Sequence, residues 1–302
     1  MTIAKALNWG TQRLKKKKIP SPRLDAELLL RKILHLSREE LYTQLPRDFN
    51  LRQQKQYNSL LQKRLDRFPL AYLIGKKEFM GLEFFVNKGV MIPRPETELL
   101  VETVLRISPQ SPVIVDLGTG CGNIAISLAK HLPNAFIYAI DNSPEALKVA
   151  RRNAKYHRVE TQIKFLAGDL FSPLQKYNLK GKIALIVSNP PYVCSQTLSS
   201  RKRPKEINYE PREALAGGKD GLKYYHQIIP RAREYLKCSE TLSPRKRPKV
   251  LRGSGSSEWL ALEIGQGQTH QVIKLLKGSG YSCLKKFKDY AGINRVIAAK
   301  VS

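Results

Sequence analysis

Val113-Ile114-Val115-Asp116-Leu117-Gly118-Thr119-Gly120-Cys121-Gly122 runs directly into Asn123-Ile124-Ala125-Ile126-Ser127-Leu128-Ala129, and this stretch decides the fold. An apolar strand meets a glycine loop, and a helix with apolar residues at helical spacing follows. Glycines let the backbone take positive φ and pass close under a ligand. The helix start supplies free N–H groups. The spacing leaves two readings open, because Gly120-Cys121-Gly122-Asn123-Ile124-Ala125 also fits the G-x-G-x-x-A form of the nicotinamide fingerprint.

The next strand, Ala135 to Ile140, ends at Asp141, where an acid can accept both hydroxyls of a ribose. Ser143-Pro144 then supplies an N-cap and a first-turn proline. A third short strand, Gln162 to Leu166, leads to Gly168-Asp169-Leu170. Asp116, Asp141 and Asp169 therefore stand at the ends of three successive strands, where they could ring one adenosine.

A further apolar run, Ile183 to Val187, reads as a buried parallel strand and closes on Asn189-Pro190-Pro191-Tyr192. Open α/β sheets bind ligands at that carboxyl edge. The prolines hold the backbone extended and lack N–H groups, so their carbonyls stay available to a donor. Asn189 adds an acceptor and Tyr192 a flat face. The set suits a planar –NH₂ group that must be gripped and aimed.

From Ile92 to the C-terminus these residues resemble the class I S-adenosylmethionine-dependent methyltransferases. More narrowly, they resemble the HemK/PrmC family, the protein-(glutamine-N5) methyltransferases of peptide chain release factors. The segments that carry this are Ile92-Pro93-Arg94-Pro95-Glu96-Thr97-Glu98, the glycine loop, the Asn-Pro-Pro-Tyr stretch, and Tyr209 to Leu215 with Asp220-Gly221-Leu222. Pro22 to Leu30 resembles the family's small helical domain, and Pro69 to Gly75 with Glu78-Phe79 its connecting hairpin region. Asn-Pro-Pro-Tyr alone is shared with adenine-N6 methyltransferases; the combination is specific.

The resemblance implies an α/β fold, a Rossmann-like sheet with its last strand antiparallel, plus a small N-terminal helical bundle. It divides the chain into a helical substrate-recognition domain (1–74), a hairpin linker (75–91) and an S-adenosylmethionine-dependent catalytic domain (92–302). It implies methyl transfer from S-adenosylmethionine to the glutamine N5 of the Gly-Gly-Gln motif in class 1 release factors. Asn189 and the Pro190 carbonyl would accept the two amide hydrogens, Pro191 would keep the loop rigid, and Tyr192 would stack on the amide. For the methyl donor, Gly118, Thr119, Gly120, Cys121 and Gly122 would pass beneath the methionine part, with Asp116 near its amino group. Asp141 would take the ribose, and Asp169 with Leu170 would border the adenine. Asn189 would also touch the donor, and Arg94 and Glu96 would shape the substrate entrance. Glutamine methylation of a ribosomal protein, adenine-N6 methylation and nicotinamide oxidoreduction are the rival activities. The last leaves Asn-Pro-Pro-Tyr unexplained.

One region departs from the family pattern. Residues 237–258 are rich in Ser, Arg, Lys, Pro and Gly and read as a basic surface insert. Its Arg245-Lys246-Arg247-Pro248-Lys249 repeats Arg201-Lys202-Arg203-Pro204-Lys205. Such loops suit a contact with ribosomal RNA or another polyanion, and the formal net charge of +28 points the same way.

The 302 residues leave room for one large and one small domain. No apolar run approaches the roughly 18 residues of a membrane span, and the basic start has no secretory pattern, so a cytoplasmic protein is expected. The four cysteines are widely spaced and the five histidines scattered, which predicts no disulfide framework and no metal. In the first domain, Ser21-Pro22 opens a helix with Ala26, Leu29, Leu30, Ile33 and Leu34 on one stripe. Ser37 and Glu40 form a capping box, and a third helix carries Tyr57, Leu60, Leu61, Leu65 and Phe68 until Pro69 stops it.

Overall fold

A computed structural model describes residues 1–109, 112–200, 203–236 and 258–301. The basic insert, apart from Glu258, lies outside the described residues, as do the repeated pentamer at 245–249 and Arg201-Lys202. The chain divides into two units, Met1–Lys76 with Pro204–Tyr209, and Lys77–Arg203 with Glu210–Ser302.

The first unit is helical: α1 (Ile3–Lys16), α2 (Pro22–Leu34), α3 (Arg38–Thr43), α4 (Leu51–Leu65) and α5 (Leu70–Ile74). The Ser37/Glu40 capping box forms, and Asn50 with Gln53 makes a second at the start of α4. Helix α1 was not expected from the sequence. Its stripe of Ile3, Ala6, Leu7, Gly10 and Leu14 is buried, but the small residues in it make a weak apolar signal. They are small for a reason. A Cβ on Gly10 would stand 2.0 Å from the Tyr57 hydroxyl, which donates to the Ala6 carbonyl at 3.3 Å.

The third predicted helix is corrected at its end. It stops at Leu65, Arg67 takes a left-handed φ of 66°, and Pro69 starts α5 instead of merely ending α4. The short segment Pro204–Tyr209 packs with this bundle. Its Glu206 meets Arg64 at 3.2 Å, and Arg64 is buried against Asp25 at 2.7 Å. The Tyr209 ring lies 4.8 Å from that of Phe68, and its hydroxyl donates to the Asp66 carbonyl at 3.0 Å. Boundaries drawn along the chain could not include this return, because nothing local in Pro204–Tyr209 marks it as bundle sequence.

A hairpin follows, β1 (Lys76–Phe79) and β2 (Leu82–Phe85). Met80 and Gly81 at its tip have φ of 53° and 70°, as a two-residue type I′ turn requires.

The second unit continues with α6 (Glu98–Ile107), β3 (Val113–Leu117), α7 (Asn123–His131), β4 (Phe136–Asp141), α8 (Pro144–Tyr156) and β5 (Ile163–Ala167). Then come β6 (Leu185–Ser188), α9 (Ser195–Ser199), α10 (Lys223–Tyr235), β7 (Trp259–Glu263), α11 (Thr269–Gly278), β8 (Tyr281–Lys288) and β9 (Asn294–Val301). The sheet order is β5-β4-β3-β6-β7-β9-β8. Strands β3 to β7 pair in parallel, whereas β9 runs antiparallel to β7 and β8.

Both faces of the sheet are covered, so its strands read as continuous apolar runs. Val115, Leu117, Ile186 and Leu260 enter one core; Ile114, Leu185, Val187 and Ala261 enter the other. This is an α/β fold with a reversed last strand, accompanied by an N-terminal helical bundle. Among the described residues no helix is long and apolar enough to cross a membrane.

Candidate active site

The chain steps outward from β3 to β5, then returns to place β6 on the other side of β3. That reversal is a topological switch point, and it opens a crevice at the carboxyl ends of the strands. Leu117 pairs with Ser188, so the glycine loop and the Asn-Pro-Pro-Tyr stretch leave the sheet side by side. One cleft is lined by Gly118, Thr119, Gly120 and Cys121, by Asp141, by Asp169 and Leu170, and by Asn189, Pro190 and Pro191. Of the residues expected in the site, Asp116, Gly122, Tyr192, Arg94 and Glu96 do not line it.

The glycine loop is open where a ligand would lie. Gly118 and Gly120 have φ of +74° and +57°, and a Cβ on either would meet nothing within 4 Å. Gly122, with φ of +84°, serves packing instead; its Cβ would fall 2.9 Å from Ile126 and 3.2 Å from Ala150. Asp141 holds this loop while facing the cleft. Its carboxylate accepts the Gly120 N–H at 2.8 Å and the Ser143 N–H at 2.9 Å. Burial raises its pKa, and these backbone donors oppose the rise.

Asp116 lies fully buried beneath the loop. Its Oδ2 accepts from the Thr119 hydroxyl at 2.7 Å, and its Oδ1 has no hydrogen-bond partner among the described residues. The Ala125 N–H lies near enough to lower the pKa but completes no hydrogen bond. Burial dominates and pushes the carboxyl up to about 7, with the Asp141 charge adding to it. A buried oxygen without a donor is an unmet requirement for a cation or N–H group.

The opposite wall is built from polar side chains. Ser188 ends β6 and donates to the Leu117 carbonyl at 2.8 Å, tying the two strand ends together. Asn189 Nδ2 donates to Thr97 Oγ1 at 3.0 Å, and no donor among the described residues meets Oδ1, the other end of its amide. No donor among the described residues meets the Pro190 carbonyl. The Tyr192 hydroxyl donates to Glu263 Oε1 at 3.1 Å. The Tyr192 carbonyl accepts from Gln268 Nε2 at 3.1 Å. Gly217 lies against the same turn, where a Cβ would stand 2.7 Å from the Tyr192 Cα and 2.8 Å from the Pro191 oxygen.

Arg94 is a brace. Its guanidinium pairs with the buried Glu210, which also accepts the Ile92 N–H at 3.1 Å. The Pro-Arg-Pro-Glu-Thr-Glu and Glu-Pro-Arg-Glu segments are thereby clasped to each other. Glu96 sits close enough to Glu263 to raise its pKa.

Sequence reasoning did not single out Thr97, Gly217, Glu263 or Gln268. Glu263 carried a usable signal, an acid ending the apolar run Trp259 to Leu262. The others are ordinary residue types whose roles arise only from what they meet. Glu263 is fully buried, and burial pushes its pKa up to about 7 against the Thr97 and Tyr192 hydroxyls. In the fold both Glu263 and Asp116 keep their protons to higher pH than in the unfolded chain. Their contribution to stability therefore falls as pH climbs from the ordinary carboxylate range towards about 7, and levels off above it.

Residues 5–75 match the PrmC N-terminal domain, and residues 94–218 match the methyltransferase small domain. A release factor glutamine methyltransferase of Geobacter sulfurreducens is 36% identical over 99% of this chain and 97% of its own. Another, from Thermodesulfovibrio yellowstonii, is 38% identical over 92% of each. Among solved structures, a methyltransferase from Pyrococcus furiosus shares the fold with a TM-score of 0.50 at 18% identity, covering 82% of this chain and 97% of that one. With a full-length match at this identity and the reversed last strand on a doubly wound sheet, the chain belongs to the release factor glutamine methyltransferase family.

Proposed function

We propose that this protein transfers a methyl group from S-adenosylmethionine to the side-chain amide nitrogen, N5, of the glutamine in the Gly-Gly-Gln motif of class 1 release factors. The observation that carries this is the Asn189 amide. Thr97 takes its N–H, and among the described residues neither Oδ1 nor the carbonyl of the next residue, Pro190, has a hydrogen-bond donor. Two fixed acceptors at a cleft edge match the two hydrogens of a carboxamide.

The residues of the other wall fit the methyl donor. Gly118 and Gly120 leave open space where any side chain would intrude, and the negative charge of Asp116 buried beneath that loop would favour an ammonium group above it. Asp141 lines the cleft where a ribose diol would find a carboxylate, and Asp169 and Leu170 stand where an adenine edge would lie. S-adenosylmethionine supplies a methyl group already activated on a sulfonium.

An amide nitrogen attacks poorly, because its lone pair is delocalised into the carbonyl. The protein therefore has to position it. Alignment alone can remove about 7–11 kcal/mol from a barrier in favourable cases. The Asn189 oxygen and Pro190 carbonyl accept the two N–H groups and fix the nitrogen. Those bonds strengthen as it gains positive character, so they act mainly in the transition state. The acidified nitrogen then loses a proton after transfer, and no strong base is required. Tyr192, anchored through its hydroxyl to Glu263, would stack its ring on the flat amide. The helical bundle supplies the surface that holds the release factor.

The experiment is methylation of a purified class 1 release factor with labelled donor, followed by mass mapping of the modified residue. One methyl on the motif glutamine is expected. Label appearing instead on an RNA or DNA adenine, or on a ribosomal protein alone, would replace this reading with one of its rivals.

A further inference from the structure

Glu263 touches neither substrate in the scheme above, yet it is an acid fully buried at the end of an apolar strand. Burying a carboxyl costs free energy unless hydrogen bonds compensate. The Tyr192 hydroxyl donates to its Oε1 at 3.1 Å, and the Thr97 hydroxyl faces the same carboxyl. Its Oε2 is buried without a closed hydrogen bond. Arg295, held by Asp289 at 2.9 Å, favours the charged form of Glu263, and Glu96 opposes it. The Tyr225 hydroxyl donates to the Glu263 backbone carbonyl at 2.9 Å and holds the strand end in place.

A hydroxyl has one proton, and that sets a direction. Thr97 Oγ1 accepts from Asn189 Nδ2 at 3.0 Å, so the Thr97 proton points elsewhere. The Glu263 carboxyl lies close by with Oε2 open, and although no hydrogen bond between them is closed among the described residues, an ionised Glu263 would take that proton. The chain of donation would then run from the Asn189 N–H to Thr97, as observed, and on from Thr97 to Glu263. With its proton committed, Thr97 has nothing to donate to an Asn189 oxygen, and the flipped amide is disfavoured. The same carboxyl holds the Tyr192 hydroxyl, so one buried acid governs two members of the Asn-Pro-Pro-Tyr stretch.

We propose that Glu263 is a positioning residue for the methyl acceptor: by accepting the Thr97 and Tyr192 hydroxyl protons it fixes which end of the Asn189 carboxamide faces the cleft. This rests on the reading of Asn189 Oδ1 as the atom that grips the substrate amide. Protonated Glu263 can instead donate to Thr97. Thr97 is then free to donate to Asn189 in its flipped form, which turns –NH₂ towards the incoming –NH₂. Burial places this change near neutral pH. The rate of methyl transfer at saturating donor therefore rises with pH through neutrality.

The test is kcat for release-factor methylation against pH, over roughly two units either side of neutral, for wild type and Glu263→Gln. The glutamine –NH₂ can donate to Thr97 at every pH. We expect kcat at the high-pH plateau to fall at least about tenfold, the acid limb to disappear, and donor affinity by calorimetry to stay within about twofold. A variant with wild-type kcat and an unchanged acid limb would overturn the proposal. So would one in which kcat, donor affinity and melting temperature all fall together, since that marks a structural role only. If Glu263→Gln does not fold, Thr97→Ser and Thr97→Val carry the same question. Ser is expected to keep most of the activity that Val loses, and equal activities would refute the idea. Wild-type enzyme that leaves glutamine unmodified condemns the parent reading; one that methylates glutamine with Glu263 irrelevant condemns only this inference.

Discussion

Gly118 and Gly120 form their wall of the cleft by lacking side chains, whereas Asn189 is held on the opposite wall by added ones. The glycine loop needs positive φ and empty space, and both come from residues adjacent in the chain. The Asn189 wall draws Thr97 from before α6, Gly217 from before α10, and Glu263 and Gln268 from beyond β6. A site for a bound donor can be cut from backbone. A site that must orient a weak nucleophile requires a network, because an amide side chain has two nearly isosteric ends and only its partners tell them apart.

The largest effect that would break this contrast is loss of the acceptor itself. Asn189→Ala is expected to lower kcat by about 10²–10³-fold, the usual cost of one transition-state hydrogen bond, while donor affinity changes little. Single-turnover assay and calorimetry together check it, and retained turnover would remove Asn189 from the positioning role. Next is the packing behind the clamp. In Gly217→Ala the new methyl would meet the Pro191-Tyr192 backbone at 2.7–2.8 Å, and backbone cannot move aside as a flexible side-chain tip can. A stability loss of about 1–3 kcal/mol by denaturant titration and reduced kcat are expected, again without lost donor affinity.

The donor wall should behave in the opposite way. Asp141→Ala is expected to weaken donor binding by about 1–3 kcal/mol, because it strands the Gly120 and Ser143 N–H groups and removes the carboxylate proposed to hold the ribose. Calorimetry measures it, and unchanged affinity would exclude Asp141. The smallest signal is a proton. Asp116 is part-protonated at neutrality, its carboxyl being pushed up to about 7 by burial. An ammonium beside it favours the carboxylate, so donor binding should release a fraction of a proton, and affinity should rise with pH to about 7 and then level off. Binding heats in buffers of differing ionisation enthalpy report that release; their equality would place the ammonium elsewhere.

Much of the scaffold was legible beforehand for a physical reason. The strands that carry Asp116 and Asn189 are apolar on both faces, the loop glycines are required by φ, and the Ser37/Glu40 cap is a local bond. Helix α1 was missed because its close approach to Tyr57 demands Ala and Gly, which dilute the apolar stripe. Tyr192 is the instructive case. Residue type suggested a stacking face, but it gave no hint that the hydroxyl would find a buried acid far along the chain.

By itself, the order of residues determined the alternation of apolar strands and helices, the glycine loop and the position of Asn-Pro-Pro-Tyr at a strand end. Those features depend on periodicity, φ and chain neighbours, which are written locally. Only the tertiary structure decided the direction of the Asn189 amide, the bracing of Arg94 by Glu210, and the return of Pro204–Tyr209 to the helical bundle. Each of these is a pairing between distant segments, and its partner is selected by burial and hydrogen-bond geometry that no local stretch of sequence contains.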